Sequence, residues 1–149
     1  MFDWLSPPLQ AEIEDLAQRF GPARFESIAL ESNSYLLRDA PRTSEVCMVI
    51  RRPSGRLITM KKTFYPDGAY RLPTGGVDAG ESIRDALERE IQEETNLTTT
   101  LLRFLGALVY HTEVGPRFAT FVLLVEETGG VLQVNDPGEQ FGSISGDCG

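Results

Sequence analysis

The chain has 149 residues and a formal net charge of -8. This length suits one domain, and the acidic balance disfavours a non-specific grip on a nucleic acid polymer or an anionic membrane, although a local basic groove can still bind a phosphorylated small molecule. The start of the chain lacks a signal-peptide pattern, and no apolar run reaches the roughly 18 residues of a membrane helix. Cys47 and Cys148 form no disulfide framework. We therefore expect a soluble cytoplasmic protein.

The first predicted element is a helix in the segment SPPLQAEIEDLAQRFG, residues 6–21. Ser6 can cap this helix, Pro7 suits its first turn, and Gly21 can end it in a left-handed conformation. The apolar side chains recur at the spacing of one helical face, which predicts a core-facing stripe of Leu9, Ile13, Leu16, Ala17 and Phe20.

Short strands and two hairpins are predicted along the rest of the chain. Two short strands are expected at 23–30 and 34–39, one hairpin turns at RPSG between 45–51 and 56–63, and a second turns at TEVGP between 101–111 and 117–127. In the run VCMVI the side chains that would point to either face of a strand are all apolar, which indicates a central strand covered on both faces. Residues 135–149 lack periodicity and predict an irregular tail.

A second helix is predicted from near Glu81 to near Asn96, between the two hairpins. Two helices in a mostly β chain with hairpins and crossovers predict an α/β fold, specifically an α/β/α sandwich with a mixed sheet. We expect a single domain over 1–149, in which 1–40 form an amino-terminal helix and strands, 41–134 form the core, and 135–149 form the tail.

The second predicted helix turns acidic side chains toward its apolar face. At about 100° per residue, Glu90 and Glu94 fall within the apolar arc and Glu93 falls at its edge. Carboxylates one turn apart repel each other and lose hydration when they point inward, so we expect a compensating cation. A divalent metal fits best, because hard cations bind carboxylate oxygens. The pattern also leaves open a structural ion cluster with a basic side chain such as Arg89.

The loop RLPTGGVDAGE leads directly into this helix and contains Gly75, Gly76 and Gly80. Glycines let the backbone approach a ligand closely, and a free carbonyl in such a loop can be a further metal ligand. A glycine-rich loop alone is a weak signal, so its value comes from its position before the carboxylates.

Loop and helix together resemble the Nudix box, G-x5-E-x7-R-E-U-x-E-E-x-G-U, in which U is a bulky aliphatic residue. The matching residues are Gly75, Glu81, Arg89, Glu90, Ile91, Glu93, Glu94 and Leu97. Asn96 stands where the family has Gly, a physically mild change because Asn is the next-best residue for a left-handed helix end. The box covers 75–97, and the predicted elements from about Glu45 to Glu127 also look like the Nudix fold.

The resemblance implies a metal-dependent pyrophosphohydrolase. Its substrate would be a nucleoside diphosphate linked to another group, or a nucleoside triphosphate, cleaved by water attack on phosphorus with Mg²⁺ or Mn²⁺. The alternative is a non-catalytic Nudix-fold module that binds a nucleotide, and a structural protein with an acidic helix explains less of the pattern. The expected partner is therefore a nucleotide-type small molecule.

The resemblance also implies a role for each box residue. Glu90 and Glu94 would be the main metal ligands, assisted by Glu93 and by the carbonyl of Gly75 or Gly76. Arg89 would orient a box glutamate through an ion pair, and Glu81 would act as an outer ligand or hold a water. The general base would be a box glutamate, Glu113 or Glu139.

Weaker candidates lie outside the box. Lys61, Lys62 and Arg71 could meet phosphate, and Phe64, Tyr65 and Tyr70 could stack on a base, but ordinary solvation or packing is favoured for each of them, as it is for His111.

Family members commonly finish with a helix on the second face of the sheet, which this tail lacks. The amino-terminal helix, a partner subunit in a homodimer or an altered tail could take its place.

Overall fold

The computed structural model describes residues 1–31, 42–62, 68–113, 115–133 and 139–145. The helices and strands are α1 Pro7–Phe20, β1 Arg24–Ala29, β2 Ser44–Arg51, β3 Arg56–Lys62, β4 Thr74–Gly76, α2 Ile83–Thr95, β5 Leu97–His111, β6 Arg117–Gly130 and β7 Glu139–Ser145. Neither α1 nor α2 is long and apolar enough to cross a membrane. The strand predicted at 34–39 lies outside the described residues.

The strands form one mixed sheet in the order β1-β5-β6-β2-β3-β7, and β4 pairs with β2. The β2–β3 and β5–β6 pairs are antiparallel, which confirms both predicted hairpins, whereas β1–β5 and β2–β6 are parallel. Strand β2 lies inside the sheet and has no exposed residue, which confirms its predicted central place. The predicted α/β class with a mixed sheet is confirmed.

The main hydrophobic cluster fills the space between the sheet and both helices. It contains Ile13 and Leu16 of α1, Ile83 and Leu87 of α2, and Val46 of β2. A smaller cluster on the other face of the sheet is formed by Val49, Leu57 and Leu124. The predicted core-facing stripe of α1 is confirmed, but it lies on the same side as α2. The possibility that the amino-terminal helix covers the second face is therefore wrong.

The helix ends agree with the sequence prediction for α2 and differ for α1. Asn96 ends α2 with φ 62° and ψ 18°, the predicted left-handed conformation. At α1, Ser6 makes no side-chain capping hydrogen bond, and Gly21 is extended with φ -79° and ψ -171°, so the predicted left-handed end is wrong. Gly21 is needed for space instead, because a Cβ there would collide with the carbonyl of Ala17.

The carboxyl-terminal segment is not irregular as predicted. Residues Glu139–Ser145 form β7, which pairs antiparallel with β3 from Arg56–Ser145 to Lys62–Glu139. The run EQFGSIS lacks the alternation of apolar and polar side chains that is the main signal for a strand in a sequence. Its pairing with β3 joins backbone groups of distant parts of the chain, which the sequence does not reveal.

Candidate active site

The two glycines of β4 make room for charged side chains on opposite faces of the sheet. Strand β4 pairs with β2 so that Gly75 lies opposite Val46 and Gly76 opposite Glu45. A Cβ at Gly75 would occupy the position of the Glu90 carboxylate, and a Cβ at Gly76 would meet the guanidinium of Arg42. The predicted close approach at these glycines is therefore made by the chain's own charged groups.

Arg89 is the centre of the carboxylate cluster on α2. Its Nε donates to Glu81 Oε2 at 2.8 Å and its Nη2 to Glu81 Oε1 at 2.9 Å, which is a two-point ion pair. Its Nη1 donates to Glu90 Oε1 at 2.8 Å and to Glu93 Oε2 at 3.2 Å. Its Nη2 also donates to the carbonyl of Gly76 at 2.9 Å. One planar guanidinium therefore fixes the relative positions of three box glutamates and the glycine loop.

Asp78 and Arg42 extend this network beyond the residues that the sequence pointed to. Asp78 Oδ2 lies 3.4 Å from Arg89 Nη2, and its Oδ1 lies 3.1 Å from Arg42 Nη2. Among the described residues, these two guanidinium groups contact four carboxylates, those of Asp78, Glu81, Glu90 and Glu93. Asp78 belongs to the loop RLPTGGVDAGE, whereas no local signal in the sequence marks Arg42.

The pKa values of Glu81 and Arg89 are shifted by their mutual contact. Hydrogen bonds from Arg89 hold the pKa of Glu81 below its ordinary value, although desolvation opposes this effect. The hydrogen bond to Glu81 is also the main reason that the pKa of Arg89 is raised. An acid whose pKa is lowered by folding stabilises the fold above its unfolded pKa, and this stabilisation is lost as the pH falls through its folded pKa. The Glu81–Arg89 pair therefore supports the fold at neutral pH and weakens in acid.

Glu90 and Glu94 carry oxygens of the kind that hard divalent cations bind. Glu90 is 7% exposed and its Oε2 lies beside Gly75, while Glu94 is half-buried one turn further along α2. Such ions take carboxylate and backbone carbonyl oxygens. Within the described ranges no three acidic, histidine or cysteine side chains converge as a ready-made metal site, and Arg89 lies among the carboxylates. Their assignment as metal ligands stays a prediction.

The candidate bases outside the box lie toward the same end of the sheet as Gly76. Ser44 at the start of β2 pairs with Ala119 of β6, and its carbonyl accepts from Val77 N at 3.0 Å. The exposed Glu113 lies in the turn just before β6 and hence at this end. Glu139 pairs through its backbone with the last residue of β3, but its side chain is outside the described part.

Among the remaining candidates, Arg71 pairs through its backbone with Met60 of β3, next to Lys61, and its charge acts on Glu45 of β2. Tyr70 is 51% exposed, Arg71 is exposed, and Lys61 and His111 are half-buried near the ends of β3 and β5. Phe64, Tyr65, Cys148 and the side chain of Lys62 lie outside the described residues. The structure does not bring His111 into the Arg89 network, and no role is assigned to it.

Two titratable groups of β2, Glu45 and Cys47, were not singled out as site residues. Glu45 accepts a 2.9 Å hydrogen bond from Thr120, but burial raises the pKa of its carboxyl above the ordinary value. Burial and the neighbouring Glu45 raise the pKa of the Cys47 thiol to about 11. Cys47 is therefore a protonated thiol at neutral pH, as expected for a structural cysteine.

Comparison with known proteins identifies the class to which this fold and site belong. A family model described as the NUDIX domain matches residues 41–144, and the chain therefore belongs to that family. A crystal structure of a MutT Nudix hydrolase from Burkholderia pseudomallei superposes with a TM-score of 0.53 at 26% identity, covering 71% of this chain and 84% of that one. The family predicted from the box is confirmed.

Curated relatives match shorter stretches. The chain is 39% identical over 66 residues to an 8-oxo-dGDP phosphatase of Danio rerio, covering 44% of this chain and 19% of that protein. It is 30% identical over 95 residues to an ADP-ribose pyrophosphatase of Methanocaldococcus jannaschii, covering 62% of this chain and 55% of that protein. The chain thus spans between a fifth and about half of the length of these two relatives.

Proposed function

We propose that this protein is a divalent-metal-dependent pyrophosphohydrolase. Its substrate would be a nucleoside diphosphate linked to another group, or a nucleoside triphosphate. Membership of the Nudix family supports the proposal, as do relatives named as an 8-oxo-dGDP phosphatase and an ADP-ribose pyrophosphatase. The observation that carries it is the buried Glu90, which Arg89 and Gly75 hold in place beside two further box glutamates.

The metal ligands in this proposal are Glu90 and Glu94, assisted by Glu93 and by the carbonyl of Gly75 or Gly76. Nudix hydrolases generally use divalent metals, and we propose Mg²⁺ or Mn²⁺ here. When bound, such an ion supplies positive charge to the phosphate oxygens and acts as a Lewis acid toward water. Arg89 binds Glu81, Glu90 and Glu93 and thereby orients these carboxylates, and Glu81 would be an outer ligand or hold a water.

The chain's own residues hold the carboxylates in position and supply an acceptor for the proton of the attacking water. Because Arg89 already holds Glu90 and Glu93, these carboxylates need little rearrangement when substrate binds. Water then attacks phosphorus, the anhydride P–O bond breaks, and the bonding electron pair leaves with the departing phosphate group. The proton of the attacking water passes to a carboxylate, either a box glutamate, Glu113 or Glu139.

The test is a screen of nucleoside triphosphates, nucleotide sugars, ADP-ribose and dinucleoside polyphosphates with Mg²⁺, followed by assay of the phosphate products. We expect Glu94→Gln to reduce turnover of the best substrate by more than about 100-fold, because changes to groups behind metal ligands alone cost about 10- to 100-fold. The substitution keeps the volume of the side chain, so the variant should remain folded by circular dichroism.

Glu88→Gln is the matched control, since Glu88 lies on the exposed side of the same helix. It should turn over like the wild type. Full activity of Glu94→Gln at limiting Mg²⁺ would contradict the assigned metal site. Nucleotide binding without turnover across the whole panel would support the alternative of a non-catalytic binding module.

A further inference from the structure

A carboxylate from the amino-terminal helix occupies the first turn of α2. Glu12 Oε1 accepts from Ile83 N at 2.6 Å, and its Oε2 accepts from Arg84 N at 3.2 Å. The first four N–H groups of a helix have no partner within the helix, and a negative charge there also interacts favourably with the helix dipole. Glu12 thus binds the first two amides of the helix that carries the box glutamates.

The third amide of this turn is bound by Ser82, whose side chain accepts from Asp85 N at 3.0 Å. The carbonyl of Ser82 accepts from Ala86 N at 3.0 Å, which is the first hydrogen bond within the helix itself. The amides of Ile83, Arg84 and Asp85 therefore have partners, and those of Ile83 and Arg84 depend on a residue about seventy positions earlier in the chain. No local capping pattern in the sequence contains Glu12.

Helix α1 presents Glu12 from a fixed position. Ile13, the next residue, is 3% exposed and Leu16 is 0% exposed, and both belong to the main core cluster. At the end of α1, the Phe20 ring lies 5.4 Å from the guanidinium carbon of Arg84, a second contact between α1 and the start of α2. Helix α1 precedes residues 41–144 that the family model matches, so this support is separate from the family match.

The start of α2 adjoins the Arg89 network directly. Glu81 lies two residues before Ile83, its N–H donates to the carbonyl of Asp78 at 3.0 Å, and its carboxylate accepts from Asp78 N at 3.1 Å and from Arg89. A shift of the first turn of α2 would therefore move Glu81 relative to Arg89, and with it the orientation of Glu90.

We propose that Glu12 is a positioning residue for the carboxylate cluster, acting by holding the first turn of α2 in place. It touches neither the proposed metal ligands nor the proposed reacting atoms. The expected effect on kcat rests on the proposed function. The expected effect on metal affinity can be measured without any substrate.

The experiment compares full-length wild type with Glu12→Ala, Glu12→Gln and the control Glu14→Gln, which makes the same charge change on the exposed side of α1. Hydrogen exchange of the Ile83 and Arg84 amides, Mn²⁺ affinity in the absence of nucleotide, and kcat and KM at saturating Mg²⁺ are measured well below the melting temperature. Glu12→Gln keeps an acceptor oxygen and the side-chain volume. The same measurements on Glu12→Gln therefore test the proposal if Glu12→Ala does not fold.

For Glu12→Ala we expect faster exchange at both amides, about 10-fold weaker Mn²⁺ binding and about 10-fold lower kcat, the lower end of the effects of groups behind metal ligands. KM for the nucleotide should stay within about 2-fold, because Glu12 is remote from the substrate groups. Glu12→Gln should lie between Glu12→Ala and the wild type, and Glu14→Gln should match the wild type.

Faster exchange with unchanged Mn²⁺ affinity and kcat would overturn the proposal and leave Glu12 as a plain helix cap. Unchanged exchange would overturn it as well, because it would show that the two amides do not depend on Glu12. If the wild type hydrolyses no nucleotide, the proposed function fails, and the Mn²⁺ affinities of the variants still decide whether Glu12 positions the carboxylates.

Discussion

The two helices lie on the same face of the sheet but are held in different ways. Helix α1 buries Ile13 and Leu16 in the core, whereas its ends lack side-chain caps, since Ser6 makes no such bond and Gly21 is extended. Its position is set by this apolar packing and by the hydrogen bonds that Glu12 accepts from the start of α2.

Helix α2 packs on the core as well, and its ends and its polar side are also fixed. Ser82 caps its start, Asn96 ends it in a left-handed conformation, and Arg89 ties it to the glycine loop. Directional hydrogen bonds of this kind set the rotation and register of a helix to a fraction of an ångström. The difference teaches that the helix bearing the proposed metal ligands is fixed at both of its ends and along its polar side, whereas the ends of the supporting helix carry no side-chain caps.

The largest expected effect comes from breaking the polar fixation of α2. Arg89→Lys keeps the positive charge but loses the planar fork, so one ammonium cannot hold Glu81 at two points and also bind Glu90. We expect kcat to fall about 100-fold through misplaced carboxylates, measured at saturating metal and nucleotide. Arg84→Lys, on the same helix, should change kcat little. Wild-type turnover in Arg89→Lys would mean that charge alone is sufficient.

An intermediate effect is expected at the end of α2. Asn96→Ala places a Cβ residue at φ 62°, which costs roughly 1–2 kcal/mol of unfolding free energy. Asn96→Gly should be nearly neutral, because glycine adopts this conformation freely and only exposed hydrogen bonds to Gln92 and Val131 are lost. Urea denaturation measures both variants. Equal losses in the two variants would assign the cost to those hydrogen bonds.

The smallest expected effect concerns the serines at the starts of the two helices, Ser82 of α2 and Ser6 of α1. Ser82→Ala removes a capping hydrogen bond to Asp85 N and should cost about 1 kcal/mol of unfolding free energy. Ser6→Ala removes no capping bond and should stay within about 0.5 kcal/mol of the wild type. Both are measured by urea denaturation under one set of conditions. Similar losses would show that the two starts do not differ energetically.

The sequence predicts the parts of this molecule that depend on neighbouring residues. The limits of α2, the left-handed Asn96 and both hairpins follow from capping, periodicity and turn residues, and the structure confirms them. The resemblance predicts that Arg89 pairs with a box glutamate without saying which one, and the structure shows pairs with Glu81, Glu90 and Glu93. The two-point pair joins Arg89 to Glu81, eight residues away across the bend between loop and helix.

The features that the sequence did not predict depend on contacts between distant parts of the chain. Glu12 meets Ile83 and Arg42 meets Asp78 only after the sheet has brought them together, and no local pattern marks either pair. Strand β7 pairs with β3, which lies about eighty residues earlier in the chain, and its own residues carry no alternating pattern that predicts a strand. Long-range polar contacts and backbone pairing therefore limited the prediction more than the core did.

Strand β7 also determines which backbone groups the sheet presents at its border. It pairs with β3 along the full length of β3, whose Leu57, Ile58 and Met60 are all buried. Without that pairing, β3 would offer a row of free amides and carbonyls beside apolar side chains, the arrangement that favours edge-to-edge aggregation. With it, the border passes to a segment with Gly142 at its centre, and glycine weakens a strand as a template for further pairing. The segment that looked least structured in the sequence thus covers the backbone groups of β3 that would otherwise form this border.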